Sequence, residues 1–341
     1  MLLTILAFIA VLSLLVFVHE LGHFLAAKSS GVRVEEFGFG LPPRILGKKI
    51  GETVYSINLL PIGGFLRLTG EDGEYASLGD ERSFAVKPPA RRALILTSGV
   101  IGNFLLGWFL FTILFWVGLP KFSDKVVVVS VENPSPAYEA GVREGDFIRM
   151  LDEMPISYFW EVSDYVSEHT DPITVVLEDG GGLRSLIVRP DPYLGVYVSN
   201  FVWKKSAVWY RAPWDALVEA AGELGAVWQG IGSLFSNLIS TRQVPDEVAG
   251  PVGMAQVVGF HAELGPRYLM QIAGVISLNL ALVNALPFPA LDGGRLMFVI
   301  WEVLTKRKVN SAIEARLHQA GMAFLLLLIL LITFHDISRF F

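Results

Sequence analysis

Val16-Phe17-Val18-His19-Glu20-Leu21-Gly22-His23-Phe24-Leu25-Ala26-Ala27 closes an apolar run that opens at Met1 and stops at Lys28. On a helix, positions i and i+4 share a face, so His19 and His23 can reach one metal ion. Glu20 follows the first of them and can act as a general base on a water held there. A secretory signal would have a basic start, a shorter apolar core and a small-residue cleavage site. This segment has no early Lys or Arg, is too long, and carries three ionisable side chains near its end, so residues 1–27 read as a retained transmembrane helix. Ionisable groups inside a membrane are costly and mark functional sites.

The remaining chain fits that setting. Of 341 residues, 52% are hydrophobic and only 18% charged, below the quarter usual in soluble domains. The formal net charge of −6 gives no footprint for nucleic acid. There is no cysteine, so disulfides, thiolate zinc sites and iron–sulfur clusters are excluded. A metal must be held by one of six His, by Asp or Glu, or by water.

Three further apolar blocks follow: residues 93–119, residues 268–305 with an interruption, and residues 319–336. The expected fold class is an α-helical polytopic membrane protein with four transmembrane helices. Residues 28–92 hold 10 Lys plus Arg in 65, and residues 295–318 hold 5 in 24. Residues 119–267 hold 11 in 149, against 20 Asp plus Glu. The first and third loops therefore read as cytoplasmic, and the middle loop and both termini as outward. Within residues 200–267, Leu224–Ile239 is apolar but short. Asp215, Glu219 and Glu223 recur every four residues ahead of it, and four Trp are scattered nearby. That pattern suits an interfacial amphipathic helix with a linker better than a fifth span.

The outer loop contains a compact α/β module, residues 125–199. Val126–Val131 reads as a strand. Ser135-Pro136 reads as a helix start and Gly141 as its stop. Phe147–Leu151 is a second strand, Trp160–His169 a helix, and Ile173–Leu177 with Leu183–Val188 a hairpin around Asp179-Gly180-Gly181-Gly182. The stretch Ala140-Gly141-Val142-Arg143-Glu144-Gly145-Asp146-Phe147-Ile148 resembles a bacterial, circularly permuted PDZ domain, with Tyr193-Leu194-Gly195-Val196 as the candidate carboxylate loop.

A zinc site of this type needs a third protein ligand. His169 and His261 lie in the outer loop, His318 in a basic loop, and His335 at the outer end of the last span. The leading candidate is Asp292, in Asn284-Ala285-Leu286-Pro287-Phe288-Pro289-Ala290-Leu291-Asp292-Gly293-Gly294-Arg295. Two prolines break the helix there, and broken backbone in a membrane is tolerated only against protein or a cavity. His19 lies roughly 13 Å from the inner end of its span at 1.5 Å per residue. Asp292 falls towards the inner end of the third span, so both belong to the cytoplasmic half of the bilayer.

Together, HELGH in the first span and N-x-x-P-x-P-x-L-D-G-G in the third resemble the intramembrane site-2 metalloproteases of the RseP type, over essentially the whole chain. The resemblance implies one Zn2+ per chain, held by His19, His23 and Asp292, with Glu20 as the catalytic base. It implies that Asn284 binds substrate backbone or donates an amide hydrogen bond. Ser98-Gly99-Val100-Ile101-Gly102-Asn103 is similar to the family's small-residue segment beside the site. There Asn103 reads equally as a substrate contact or as packing glue between helices. Phe37–Gly40, Val54–Leu60 and Pro61–Leu66, including Gly63, Gly64 and Phe65, correspond to the family's membrane-associated β-hairpin element. An unfolded substrate segment could add to its edge as a strand; a plain cytoplasmic hairpin is the alternative. The implied activity is regulated intramembrane proteolysis of single-span membrane proteins in a bacterial inner membrane, with anti-sigma factors or remnant signal peptides as substrates. The PDZ-like domain would filter substrates or bind a new carboxyl terminus. A non-catalytic peptide-binding adaptor is the second reading, but it has no need of Glu20. A metal transporter is the third, and it lacks the expected repeat.

Overall fold

The computed structural model describes residues 2–71, 80–179, 182–191, 193–240 and 250–338. The expected turn residues Gly180-Gly181 and part of the outer linker, 241–249, lie outside them. The chain divides into two units. Unit 1 comprises Met1–Trp116 and Ser206–Phe341, and unit 2 comprises Val117–Lys205.

Unit 1 opens with α1 (Leu2–Ser29), followed by strands β1 (Val34–Ile50) and β2 (Thr53–Leu68), then α2 (Pro89–Val117). Unit 2 contains β3 (Leu119–Val131), α3 (Pro136–Ala140), β4 (Phe147–Leu151), β5 (Met154–Pro155), α4 (Phe159–Glu168), β6 (Ile173–Asp179), β7 (Gly182–Val188) and β8 (Val196–Lys204). Unit 1 resumes with α5 (Ala212–Ser240), α6 (Pro251–Leu264), α7 (Pro266–Ala285), α8 (Asp292–Thr305) and α9 (Ser311–Ser338). Among the described residues, four helices are long and apolar enough to cross a membrane: α1, α2, α7 and most of α9. The acidic helix α5 is not one of them.

One feature here differs from the expectation. The outer linker contains a second helix, α6, opened by Pro251 at its first turn. Its periodicity is masked by small residues, and these are what let it pack. Val258 is fully buried among Ala7, Val11 and Leu15 of α1, and a side chain at Gly259 would collide with Thr4. Asp336 of α9 accepts from the N–H groups of Gly250 (3.2 Å) and Gly253 (2.8 Å), capping the donors that α6 leaves open at its start. The interruption expected in the third block is the irregular segment 286–291, which separates α7 from α8.

The hairpin element is a folded-back sheet. Phe37–Phe39 pair with Gly64–Leu66 on one side and with Tyr55–Ile57 on the other, and Thr53–Asn58 pair again with Arg44–Ile50. The spatial order is thus 44–50, 53–58, 36–39, 64–68. Thr53 Oγ1 donates to Val34 O (2.9 Å) and Asn58 Nδ2 to Gly40 O (2.8 Å), which fixes the fold-back. Among the described residues, Gly64–Leu68 forms one edge of this sheet. Ser13 Oγ of α1 donates to Pro61 O (2.6 Å) just ahead of it.

Unit 2 is an antiparallel sheet in the order β7-β6-β4-β3-β8, with β5 on β4. Its core is aliphatic, with Val126, Val128, Ile148, Leu151, Ile173 and Leu177 nearly inaccessible. Ser135 caps α3 by accepting from Tyr138 N, and Gly141 ends it in the left-handed region at φ 92°. The unit begins earlier and ends later than residues 125–199. Leu119–Phe122 pair with Phe201–Lys204, so β3 and β8 each run past those limits. β8 is an edge strand, directly after Tyr193-Leu194-Gly195.

Candidate metal centre

His19 and His23 project from one face of α1, one turn apart, and each is only 8% exposed. Their Nε2 atoms are 3.1 Å apart. Asp292 Oδ2 lies 3.0 Å from His19 Nε2 and 3.3 Å from His23 Nε2. These three are the His/Asp/Glu cluster able to hold a metal among the described residues. At zinc bond lengths of 2.0–2.1 Å, neighbouring ligand atoms of a tetrahedron lie about 3.3 Å apart, and all three separations are close to that edge. Although Asp292 Oδ2 is within ion-pair distance of both rings, it is buried and forms no hydrogen bond of acceptable geometry. The three donor atoms lie within 3.3 Å of one another, an arrangement that fits a bound cation.

Three local structures produce this convergence. The helical repeat of α1 supplies the two rings. Asp292 is the first residue of α8 and follows Ala290, which adopts φ 84°. Gly293 and Gly294 then pack directly on the carbonyls of Leu286 and Phe288, where a side chain would collide. The chain between α7 and α8 can therefore coil tightly enough to bring the carboxylate back to α1. The third contribution comes from α2. Gly99 lies directly against both rings, and any Cβ there would overlap His23 Nε2. Opposite it, a Cβ at Gly22 would strike Ser98 O. The two helices meet through glycines, as membrane helices do where close van der Waals packing must replace the hydrophobic effect.

The neighbours of the rings are polar. His23 Nδ1 donates to Ile95 O at 2.7 Å, which leaves Nε2 as the nitrogen with a free lone pair. His19 Nδ1 faces the amide of Asn103 at 3.4 Å.

Glu20 lines a cavity of about 160 Å³ together with His19, His23, Asp292, Leu66, Leu68, Glu71, Phe84, Ile95 and Leu96. Gly64 presses against Glu20: an added Cβ would come within 2.8 Å of Glu20 Cγ. Gly63 lies in the same way against Val16, at φ 87°. Phe65, which follows Gly64, is half-buried opposite Gly38. Asn284 sits half-buried in the last turn of α7 and is not among the residues lining this cavity. Asn103 is 1% exposed and does not line it either. Of the other His, His169 stacks on Tyr165 at 4.0 Å in unit 2. His261 lies 2.7 Å from Val257 O in α6.

Several residues here were not singled out from the sequence. Glu71 and Arg295 form an ion pair beside the metal cavity. A second cavity, of about 500 Å³, shares Glu71, Phe84 and Leu96 with the first and is lined by Arg92 and Glu302, paired at 2.5 Å. The carbonyl of Ile95 was likewise unreadable, since any residue has one. Arg295 could have been noticed, as it stands one turn after Asp292.

A family model described as Peptidase family M50 matches residues 7–328. The zinc metalloprotease RasP of Geobacillus kaustophilus is 30% identical over 99% of this chain and 98% of its own length. The regulator of sigma-W protease RasP of Bacillus subtilis is 29% identical over 99% of both chains. Among solved structures, the PDZ domain of an SdrC-like protein from Listeria innocua matches 22% of this chain and 93% of that domain. The identity is 24% and the TM-score 0.20, too low to decide anything. By a family model covering nearly its full length and relatives of matching extent, the chain belongs to peptidase family M50 and is a zinc metalloendopeptidase of the site-2 protease type.

Proposed function

We propose that this chain hydrolyses peptide bonds within or near the transmembrane segments of single-span membrane proteins. The observation that carries the proposal is the meeting of His19 and His23, on a helix apolar enough to span a bilayer, with Asp292 at the start of α8. These three residues hold the zinc. When bound, zinc supplies Lewis acidity that makes a water nucleophilic near neutral pH and polarises the scissile carbonyl. Glu20, in the same cavity, takes the proton of the attacking water and returns it to the leaving amide nitrogen. Burial of His19 and His23, each 8% exposed, limits the access of bulk water to the rings.

A transmembrane helix must unwind before its carbonyls are open to attack. The edge Gly64–Leu68 supports a way to hold it open, because Leu66 and Leu68 already line the metal cavity. A substrate segment adding as a strand there would present its backbone to Glu20. Gly63, Gly64 and Phe65 shape that edge, and Asn284 binds substrate backbone at the end of α7. The loop charges support a reading with the metal in the cytoplasmic half of a bacterial inner membrane and unit 2 outside it. Unit 2 acts as a PDZ-like filter or receptor for a new carboxyl terminus, using the edge of β8. Because one relative is named a regulator of sigma-W protease, anti-sigma factors head the proposed substrate class, with remnant signal peptides beside them. The test is Glu20→Gln in the full chain with a tagged transmembrane substrate. Cleavage should vanish while zinc stays near one per chain. Retained cleavage would remove Glu20 as the base, and cleavage absent from the unaltered protein across a substrate panel would favour the adaptor.

A further inference from the structure

We propose that Asn103 is the positioning residue of His19: its side-chain oxygen accepts the Nδ1 proton and so directs the Nε2 lone pair at zinc. The proposal rests on the reading of His19 as a ligand. The two histidines pose the same problem, since a neutral imidazole offers a lone pair at one nitrogen only and carries its proton on the other. For His23 a backbone carbonyl, Ile95 O at 2.7 Å, settles the matter, because a carbonyl only accepts. For His19 the group facing Nδ1 is the amide of Asn103, at 3.4 Å. An amide can face the ring with its oxygen or its nitrogen, and only the oxygen is compatible with a free Nε2 lone pair.

The unpartnered acceptor of this amide favours the oxygen. Asn103 is 1% exposed, so water does not compete for its amide. Its Oδ1 is buried and has no hydrogen-bond partner among the described residues, while Nδ2 faces the ring. A half-turn of the amide exchanges the two atoms at almost unchanged shape. The orphaned acceptor then meets the proton that His19 must carry. The backbone of Asn103 is also held in place, because Ser277 Oγ of α7, itself fully buried, donates to Asn103 O at 2.7 Å. Ile95, Gly99 and Asn103 recur every four residues, so one face of α2 sets the His23 tautomer, admits both rings and sets the His19 tautomer. Packing glue would require only that Asn103 fill space between helices. A substrate contact would require an accessible amide, and Asn103 is 1% exposed.

The test uses the full chain in detergent, stripped of metal and titrated with zinc against a competing chelator. Partners that orient a ligating His are worth about 10–100-fold in metal affinity. Asn103→Leu, of similar size but without an acceptor, should weaken zinc by that factor. Asn103→Asp, which can only accept when ionised, should bind zinc as tightly as the unaltered protein or more tightly. A packing role predicts the reverse order, because Leu is at home between membrane helices and a carboxylate is not. Equal affinity for the Asn103→Leu variant and the unaltered chain overturns the proposal. If that variant is not recovered folded, a tenfold loss in Asn103→Asp overturns it. His19→Ala is the separate control: unchanged affinity there removes His19 from the ligand set, whereas loss of zinc there with no effect of the Asn103 substitutions leaves the ligand set standing and removes only the role of Asn103.

Discussion

Gly99→Ala adds a single methyl group where α1 and α2 come closest. Its Cβ would stand 2.7 Å from His19 Cε1 and 2.8 Å from His19 Nε2, and nearer still to His23 Nε2. Carbon makes ordinary contacts at about 3.5–4.0 Å, so the rings must retreat by about 1 Å or the helices must part by as much. Zinc sites hold their bond lengths within about 0.2 Å, and a 1 Å misplacement at a reacting centre can cost about 100-fold in rate. Helix propensity acts in the opposite direction, since Ala is favoured over Gly in a helix interior by about 1 kcal/mol. The variant should therefore be recovered folded and helical, yet retain little zinc after dialysis against a chelator and cleave a transmembrane reporter about 100-fold more slowly. Circular dichroism, metal analysis and a single-turnover cleavage assay on one preparation separate these effects. Full zinc occupancy with cleavage within twofold of the unaltered enzyme would refute the close approach of α2 to the metal centre.

Other consequences can be measured in the same material. Asp292→Ala removes the oxygen 3.0 Å from His19 Nε2, so bound zinc should fall well below one per chain; full occupancy would strike Asp292 from the ligands. Glu52 accepts from Arg82 (2.6 Å) and Lys28 (2.8 Å), and these hydrogen bonds hold its carboxyl down at about 2. A depressed carboxylate contributes stability above its unfolded value, about 4.3, and loses it as pH falls through the folded one. The stability gap between the unaltered chain and Glu52→Gln should thus be greatest above about pH 5 and close near pH 2. It should be small and sensitive to salt, because all three groups are solvent-accessible; a gap that ignores pH would point to some other cause. In unit 2, Leu177 is wholly buried in the aliphatic core. Leu177→Ala should cost about 2–5 kcal/mol, read as faster hydrogen exchange confined to residues 117–205 of the full chain. Unchanged protection there would mean that the core repacks around the gap.

Whatever depends on neighbours along the chain is legible in the sequence alone. The pairing of His19 with His23 follows from the helical repeat. The four long apolar helices follow from composition and length, because a bilayer demands both. In unit 2, Ser135, Pro136 and Gly141 mark the limits of α3 through backbone preferences that act locally. Asp292 could be named because two prolines and two glycines announce irregular backbone around an acid.

Tertiary structure decided everything that depends on which surfaces meet. Helix α6 was hidden because its small residues have no amphipathic period, and they matter only against α1. The fold-back of β1 and β2 pairs one stretch with two partners, a choice that alternation along either strand cannot express. The Glu71–Arg295 pair joins residues far apart in sequence. The tautomers of the two rings are set by Ile95 O and, as proposed, by Asn103, through contacts 72 and 84 residues distant in sequence. The chemistry of this protein could thus be read from residue types and local spacing. The geometry that brings three side chains into one candidate metal site required α2 and α8 to be seen packed on α1, because close approach is a property of pairs of surfaces.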